Sequence, residues 1–267
     1  MRTKLIGLFI VLLMSSTILS AQKSKSFELK SPDGKIALKL EVGAKMLWSV
    51  QHDGQQIIAP SAISMLLESG EVLGNNAKIS SSKTEKIDQP FAAINYKKTT
   101  IQNQFNQLTV NCKNDYGVIF RVFNDGAAYR LFTKKKGVMI VKNEDANFNF
   151  TADHKAFIPY MWDYREGKIF NTSFEALYKE TNISKFAPDS LAFLPLLVDV
   201  GGNKKVAILE ADLEDYPGMF LNINQTRKGF IGVYAPYPLE AEQVQRNLIP
   251  TKRADYKIGR ASCRERV

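Results

Sequence analysis

The chain is poor in the residues that most often perform chemistry or brace an exported fold. Its 267 residues include 2 cysteines and 2 histidines. Cys112 and Cys263 are too few for a disulfide framework, so a fold of this size must rest on a hydrophobic core. Cys112 occupies an alternating strand position in LTVNCKND and reads as a small core or edge residue. His52 stands beside the turn HDG and His154 in a polar loop, contexts that suit neither a histidine-based triad nor a zinc site. Long apolar runs are also scarce. The run LIGLFIVLLM follows Arg2 and Lys4, precedes the small residues of SSTILSAQ, and is short for a bilayer span. That order predicts a signal peptide over residues 1–21, cleaved after Ala21, and a periplasmic or secreted product with no membrane attachment after cleavage. An uncleaved anchor is the lesser alternative.

The net charge of +9 invites a nucleic-acid reading until its location is considered. The leader holds two positive charges, and the last eleven residues, KIGRASCRERV, hold four positive and one negative. The body is left with about +4, which is ordinary for a soluble surface, and no nucleic-acid partner is expected.

What the chain does have is a period of two from about residue 27 onward. In KIALKLEV, Ile36, Leu38, Leu40 and Val42 point one way while Lys35, Lys39 and Glu41 point the other, after the turn SPDG. In MLWSVQHDG, Met46, Trp48 and Val50 share a face before a DG hairpin signal. LTVNC, VIFRVFNDGAAYRLF, GVMIVK, LAFLPLLVDV, KKVAILEADL and MFLNI continue the series with Asn, Asp and Gly between them. The pattern predicts an all-β, antiparallel sandwich in one continuous domain. One segment interrupts it: SFEALYKETNISKFA, Ser173 to Ala187, has Phe174, Leu177 and Tyr178 at helical spacing and predicts a short helical segment.

Three motifs stand out. FRVFNDGAAYRL is a hairpin in which Gly126 is expected to take a positive φ and Asn124 and Asp125 to bond the local backbone, with Arg121 and Arg130 free to reach carboxylates across the sheet. ILEADLEDYPGM carries Glu210, Asp212, Glu214 and Asp215, enough acid to suggest a cation site, although alternation places the first three on one solvated strand face. Tyr216, Pro217 and Gly218 suit a type II turn. FIPYMWDYREG, Phe157 to Gly167, sets four aromatics beside Asp163, Arg165 and Glu166. Rings that stack on sugars, with charged groups that orient hydroxyls, fit a carbohydrate cleft. An aromatic-rich strand end covering the core fits the same composition.

Taken in order, SPDGKIALKL, FRVFNDGAAYR, IPYMWDYREG, ILEADLEDYPGMFL and NLIPTKRADY resemble the amino-terminal domain of glycoside hydrolase family 97, which contains exported α-glucosidases and α-galactosidases. The resemblance implies a β-super-sandwich similar to galactose mutarotase over residues 22–257, followed in intact members by a catalytic (β/α)8 barrel. No βα alternation follows the sandwich here, and residues 258–267 read as a foreign or out-of-frame tail. The resemblance further implies a calcium ion at the active site, with Glu166 as the ligand given by this domain. Trp162, Asp163 and Arg165 become candidate substrate-binding residues for an α-linked oligosaccharide. Catalytic carboxylates are expected in the barrel, so the fragment alone is expected to be inactive. A stand-alone carbohydrate-binding module on the same sandwich is the alternative, motivated by Tyr160, Trp162 and Tyr164. A mutarotase-like epimerase needs a histidine and a glutamate as acid and base, which His52 and His154 do not suit.

Overall fold

Alternation becomes structure first in the amino-terminal meander. Strands β1 (Lys25–Lys30), β2 (Ile36–Val42), β3 (Met46–His52) and β4 (Gln55–Leu67) pair in succession, each antiparallel to the last. Ile36, Leu38, Leu40, Val42, Met46, Trp48 and Val50 are buried, as their period of two requires. In the SPDG turn Ser31 Oγ donates to Asp33 Oδ1, which also accepts from the Lys35 amide, and Gly34 takes a φ of 76°. At HDG, Asp53 and Gly54 adopt φ values of 48° and 75°, the left-handed pair that a two-residue hairpin needs to match strand twist.

In this computed structural model residues 24–161, 169–170, 176–213, 216–244 and 247–257 are described. The chain continues through β5 (Val72–Leu73), β6 (Ile79–Asp88), the small pair β7 (Phe91–Ala92) and β8 (Thr100–Ile101), then β9 (Gln104–Cys112), β10 (Tyr116–Val122) and β11 (Ala127–Thr133). It then forms β12 (Val141–Asn149), β13 (Lys155–Ile158), β14 (Lys179–Asn182), β15 (Leu196–Gly201), β16 (Lys204–Ile208), β17 (Met219–Ile223) and β18 (Gly229–Tyr234). A final hairpin comprises β19 (Pro238–Val244) and β20 (Asn247–Arg253). The largest sheet has the order β1-β2-β3-β4-β12-β18-β17, with β5 added on β4. Two four-stranded sheets, β11-β10-β9-β6 and β14-β13-β15-β16, complete the architecture.

The large sheet and the β11-β10-β9-β6 sheet enclose one apolar interior. Leu38, Leu40, Met46 and Ile63 from the first meet Val110, Val118, Phe120 and Val122 from the second in a single buried cluster. Trp48 crosses the interface, its ring 5.4 Å from Tyr129 and 6.0 Å from Phe148. The same cluster extends through Phe150, Phe186 and Phe230 to Ala156, Ile158, Leu196 and Val198 of the third sheet. The all-β sandwich expected from alternation is therefore the observed architecture. Cys112 is a free, buried core residue, and burial pushes its thiol pKa up.

Several local expectations differ. Residues 179–182 form strand β14 against β13, and the helical element among the described residues is a 3-10 turn at Ile183–Lys185, later than the spacing of Phe174, Leu177 and Tyr178 predicts. The short helical element thus falls within Ser173 to Ala187 but after β14, and Phe174 lies outside the described residues. GVMIVK is not a strand throughout, since β12 begins at Val141 and runs on to Asn149. Gly126 has no left-handed φ, and Asn124 Oδ1 accepts from the amide of Asp33, joining two turns far apart in sequence.

Candidate functional site

The segment that carries the sequence expectations lies between two anchored ends. On its entry side, Met161 is buried and its amide donates to the carbonyl of Leu191. Tyr160 packs its ring 4.9 Å from Phe186, and its hydroxyl accepts from the Ala187 amide. Lys179 Nζ stands 5.9 Å from the centre of the Tyr160 ring. Tyr160 is thus engaged by the core and by a lysine instead of offering a clear face to a sugar. On the exit side, Phe170 packs 5.6 Å from Phe220, which lies 5.2 Å from Phe193, and the Arg253 guanidinium sits 6.0 Å from the Phe170 ring. Trp162, Asp163, Arg165 and Glu166 lie between these anchors and outside the described residues, as does Tyr164. A surface cavity of about 390 Å³ opens at the root of the segment, lined by Tyr160, Met161, Ala176, Leu177, Lys179, Lys185 and Ala187.

The acid-rich stretch after β16 is not the solvated strand face that alternation predicts. β16 ends at Ile208, which pairs with Leu196 at the start of β15, and four residues on Asp212 adopts a φ of 57° outside the strand region. Glu210 turns back to accept from the amide of Met219 at 3.0 Å, and Asp212 pairs with Arg130. Gly218 takes no left-handed φ, so Tyr216 to Gly218 do not make the expected type II turn. Glu214 and Asp215 lie outside the described residues. No group of three or more His, Cys, Asp or Glu side chains among the described residues is arranged to hold a metal ion. Of the two arginines of the hairpin motif, Arg130 finds a carboxylate. Arg121 instead donates to Gln107 at 2.8 Å and lies 4.8 Å from the Phe105 ring.

One cluster was missed at the sequence level. Glu144 of β12 accepts a hydrogen bond from the Tyr216 hydroxyl, and Tyr234 also favours its charged form, yet desolvation dominates and raises the carboxyl pKa. Tyr129, from β11, has its phenol pushed well up by burial, with Glu144 and Asp145 adding to the effect. The signal was available: Glu144, Ala146, Phe148 and Phe150 recur at period two, so the acid occupies a position that the pleat assigns to the interior.

Comparison with known proteins decides what this arrangement belongs to. The model of the glycosyl-hydrolase 97 amino-terminal domain matches residues 29–248. The chain belongs to that family. It is 37% identical over 228 residues to a retaining alpha-galactosidase of Bacteroides thetaiotaomicron, a match covering 84% of this chain and 34% of that protein. The chain thus spans about a third of the length of this curated relative. Among solved structures, a glycoside hydrolase family 97 enzyme from Pseudoalteromonas sp. strain K8, in complex with acarbose, superposes with a TM-score of 0.68 at 21% identity, covering 79% of this chain and 32% of that one. A beta-arabinopyranosidase superposes with a TM-score of 0.71 at 23% identity, covering 84% and 37%. At these identities the superpositions speak for the fold. The sandwich fold is common to this chain and both superposed structures, and the activities named belong to longer proteins.

Proposed function

We propose that this family-97 domain serves an exported α-glycosidase of the α-galactosidase or α-glucosidase type, packing on a (β/α)8 catalytic barrel and giving Glu166 to a calcium ion shared with it. The observation that carries the reading is the 37% identity, sustained over 228 residues, to a retaining alpha-galactosidase three times longer than the matched region. Calcium takes six to eight oxygen ligands, and a single glutamate supplies at most two. Among the described residues no three or more His, Cys, Asp or Glu side chains are grouped to hold a metal ion, and in this reading the remaining ligands come from the barrel. The ion would orient the sugar and help to polarise the leaving oxygen. The domain's part is to carry Glu166 to the barrel on a segment pinned at Met161 and Phe170, with Trp162, Asp163 and Arg165 beside the sugar. Protonation of the glycosidic oxygen and attack at the anomeric carbon fall to barrel carboxylates.

A stand-alone carbohydrate-binding module is the second reading. It is weakened by Tyr160, which is one of its three candidate rings and is packed against Phe186.

The test is hydrolysis of nitrophenyl α-galactoside and α-glucoside by the intact enzyme, with and without a calcium chelator. Activity on one of the two should fall on chelation and return with added calcium. Glu166→Gln should raise the calcium concentration needed for half activity by about tenfold or more, with an unchanged circular-dichroism spectrum. Hydrolysis of neither substrate would overturn the glycosidase reading, and an unchanged calcium requirement in the variant would remove Glu166 from the ligand set.

A further inference from the structure

Among the described residues, β19 and β20 pair only with each other. Residues directly opposite in an antiparallel pair share a face, so the register sorts the side chains of this hairpin. Ala241 stands opposite Pro250 and Gln243 opposite Leu248, and these four make a side without charge. Glu240 and Glu242 take the other side with Ile249 and Val244, and there Glu240 pairs with Lys252. Leu239 lies at the register shift beside Ala241 and is 49% exposed, and Tyr237 just before the strand is exposed as well. One side of the ribbon is thus dressed for water and the other carries hydrocarbon. A two-stranded ribbon of this kind is marginal in water until something covers its apolar side.

The base of the hairpin is fixed, and its position bears on what the cover is. Arg253 Nη1 donates to the carbonyl of Pro236, and the Tyr237 and Tyr256 rings pack 5.8 Å apart. The Arg253 guanidinium also sits 6.0 Å from the ring of Phe170, the anchor on the exit side of the segment that carries Glu166. The hairpin therefore rises beside the end of that segment. Chain continuity points the same way. The matched stretch is 34% of the retaining alpha-galactosidase, and the amino-terminal family model closes at residue 248, inside β20. In such a longer protein the rest of the polypeptide continues from this hairpin, and consecutive units are usually neighbours in space.

We propose that the uncharged side of the β19–β20 hairpin, centred on Leu239 and Leu248, is the surface on which the carboxyl-terminal part of the intact polypeptide packs. The proposal rests on the reading that this domain belongs to a longer enzyme, and it names the surface that joins the two. Covering the two leucines removes their hydrocarbon from water and gives the ribbon the second layer that it lacks. The same contact holds the Phe170 end of the segment against the neighbouring domain, because Arg253 links the hairpin to that end. Glu240, Glu242 and Lys252 stay in solvent on the opposite side.

The experiment compares the chain by itself with the intact enzyme. Hydrogen exchange is read at the amides of residues 239–244, with those of β2 and β3 as an internal reference. The hairpin amides should exchange about tenfold or more slowly in the intact enzyme than in the chain alone, while the reference is the same in both. Leu239→Ser with Leu248→Ser should abolish that slowing and lower the melting midpoint of the intact enzyme by several degrees, yet leave the midpoint of the chain alone unchanged. Glu240→Gln with Glu242→Gln should alter neither the slowing nor either midpoint. Equal hairpin exchange in the two proteins, a serine variant as silent in the intact enzyme as in the chain, or a loss of slowing in the glutamine variant would overturn the surface. Hydrolysis of the two nitrophenyl glycosides by the same unmodified enzyme reports separately on the glycosidase reading. Slowed exchange without hydrolysis sinks that reading and supports the surface, whereas hydrolysis without slowed exchange sinks the surface alone.

Discussion

Gly117 faces the carbonyl oxygen of Val110 and the ring of Phe132 so closely that a β-carbon would lie 2.4 Å from the first and 2.5 Å from the second. Backbone cannot yield as a flexible side chain can, so Gly117→Ala should cost about 1–3 kcal/mol. A thermal melt should show a midpoint several degrees lower, and an unchanged midpoint would mean that β9 and β10 can part without penalty. The Glu166 prediction belongs to the same scale, because one oxygen donor is removed and one calcium affinity is read. Asn124 shows how residue chemistry can act at a distance: expected to bond its own turn, it accepts from Asp33, 91 positions away.

At the scale of elements, the β19–β20 hairpin is unlike the rest of the fold. Every residue of β19 is exposed, including Leu239 and Val244, and Leu248 on β20 is 68% exposed. Two strands without a covered face are marginal alone, and this pair is tied down at its base. There the Tyr237 amide donates to Tyr256 and the Lys257 amide donates to Val141. Because neither leucine contributes to the core, the double substitution Leu239→Ser with Leu248→Ser should change the unfolding free energy by less than about 0.5 kcal/mol. Denaturant titration checks this, and a loss of several kcal/mol would show that the hairpin is packed in solution. The connection after β16 makes the complementary point. A sequence pattern that continues the strand through Leu213 stops at Ile208, opposite the first residue of β15, and its acids go to the Met219 amide and to Arg130.

For the whole molecule, one buried cluster links all the larger sheets, and no disulfide contributes at Cys112. The Cys112 thiol should therefore be inert to a thiol reagent in the native state and react only with unfolding, in step with loss of tertiary signal across a denaturant series. Reaction ahead of that transition would reveal local opening of β9 from its neighbours β10 and β6. The sequence by itself determined the all-β class, the inward residues of β2 and β3, and the SPDG and HDG turns, because pleat periodicity and turn chemistry are local. The order of the family motifs also made the domain's kinship legible, and the family match confirms it. Strand order and the third sheet were not legible, since β4 passes to β12 and β12 to β18 through pairings distant in sequence. The placement of Tyr160 on Phe186, of Asp212 on Arg130, and of Glu144 beneath Tyr216 was decided only by tertiary structure, because each partner arrives from another element. Period two told which way Glu144 points, and only the packed sandwich told that two phenols, Tyr216 and Tyr234, meet it there while burial raises its carboxyl pKa.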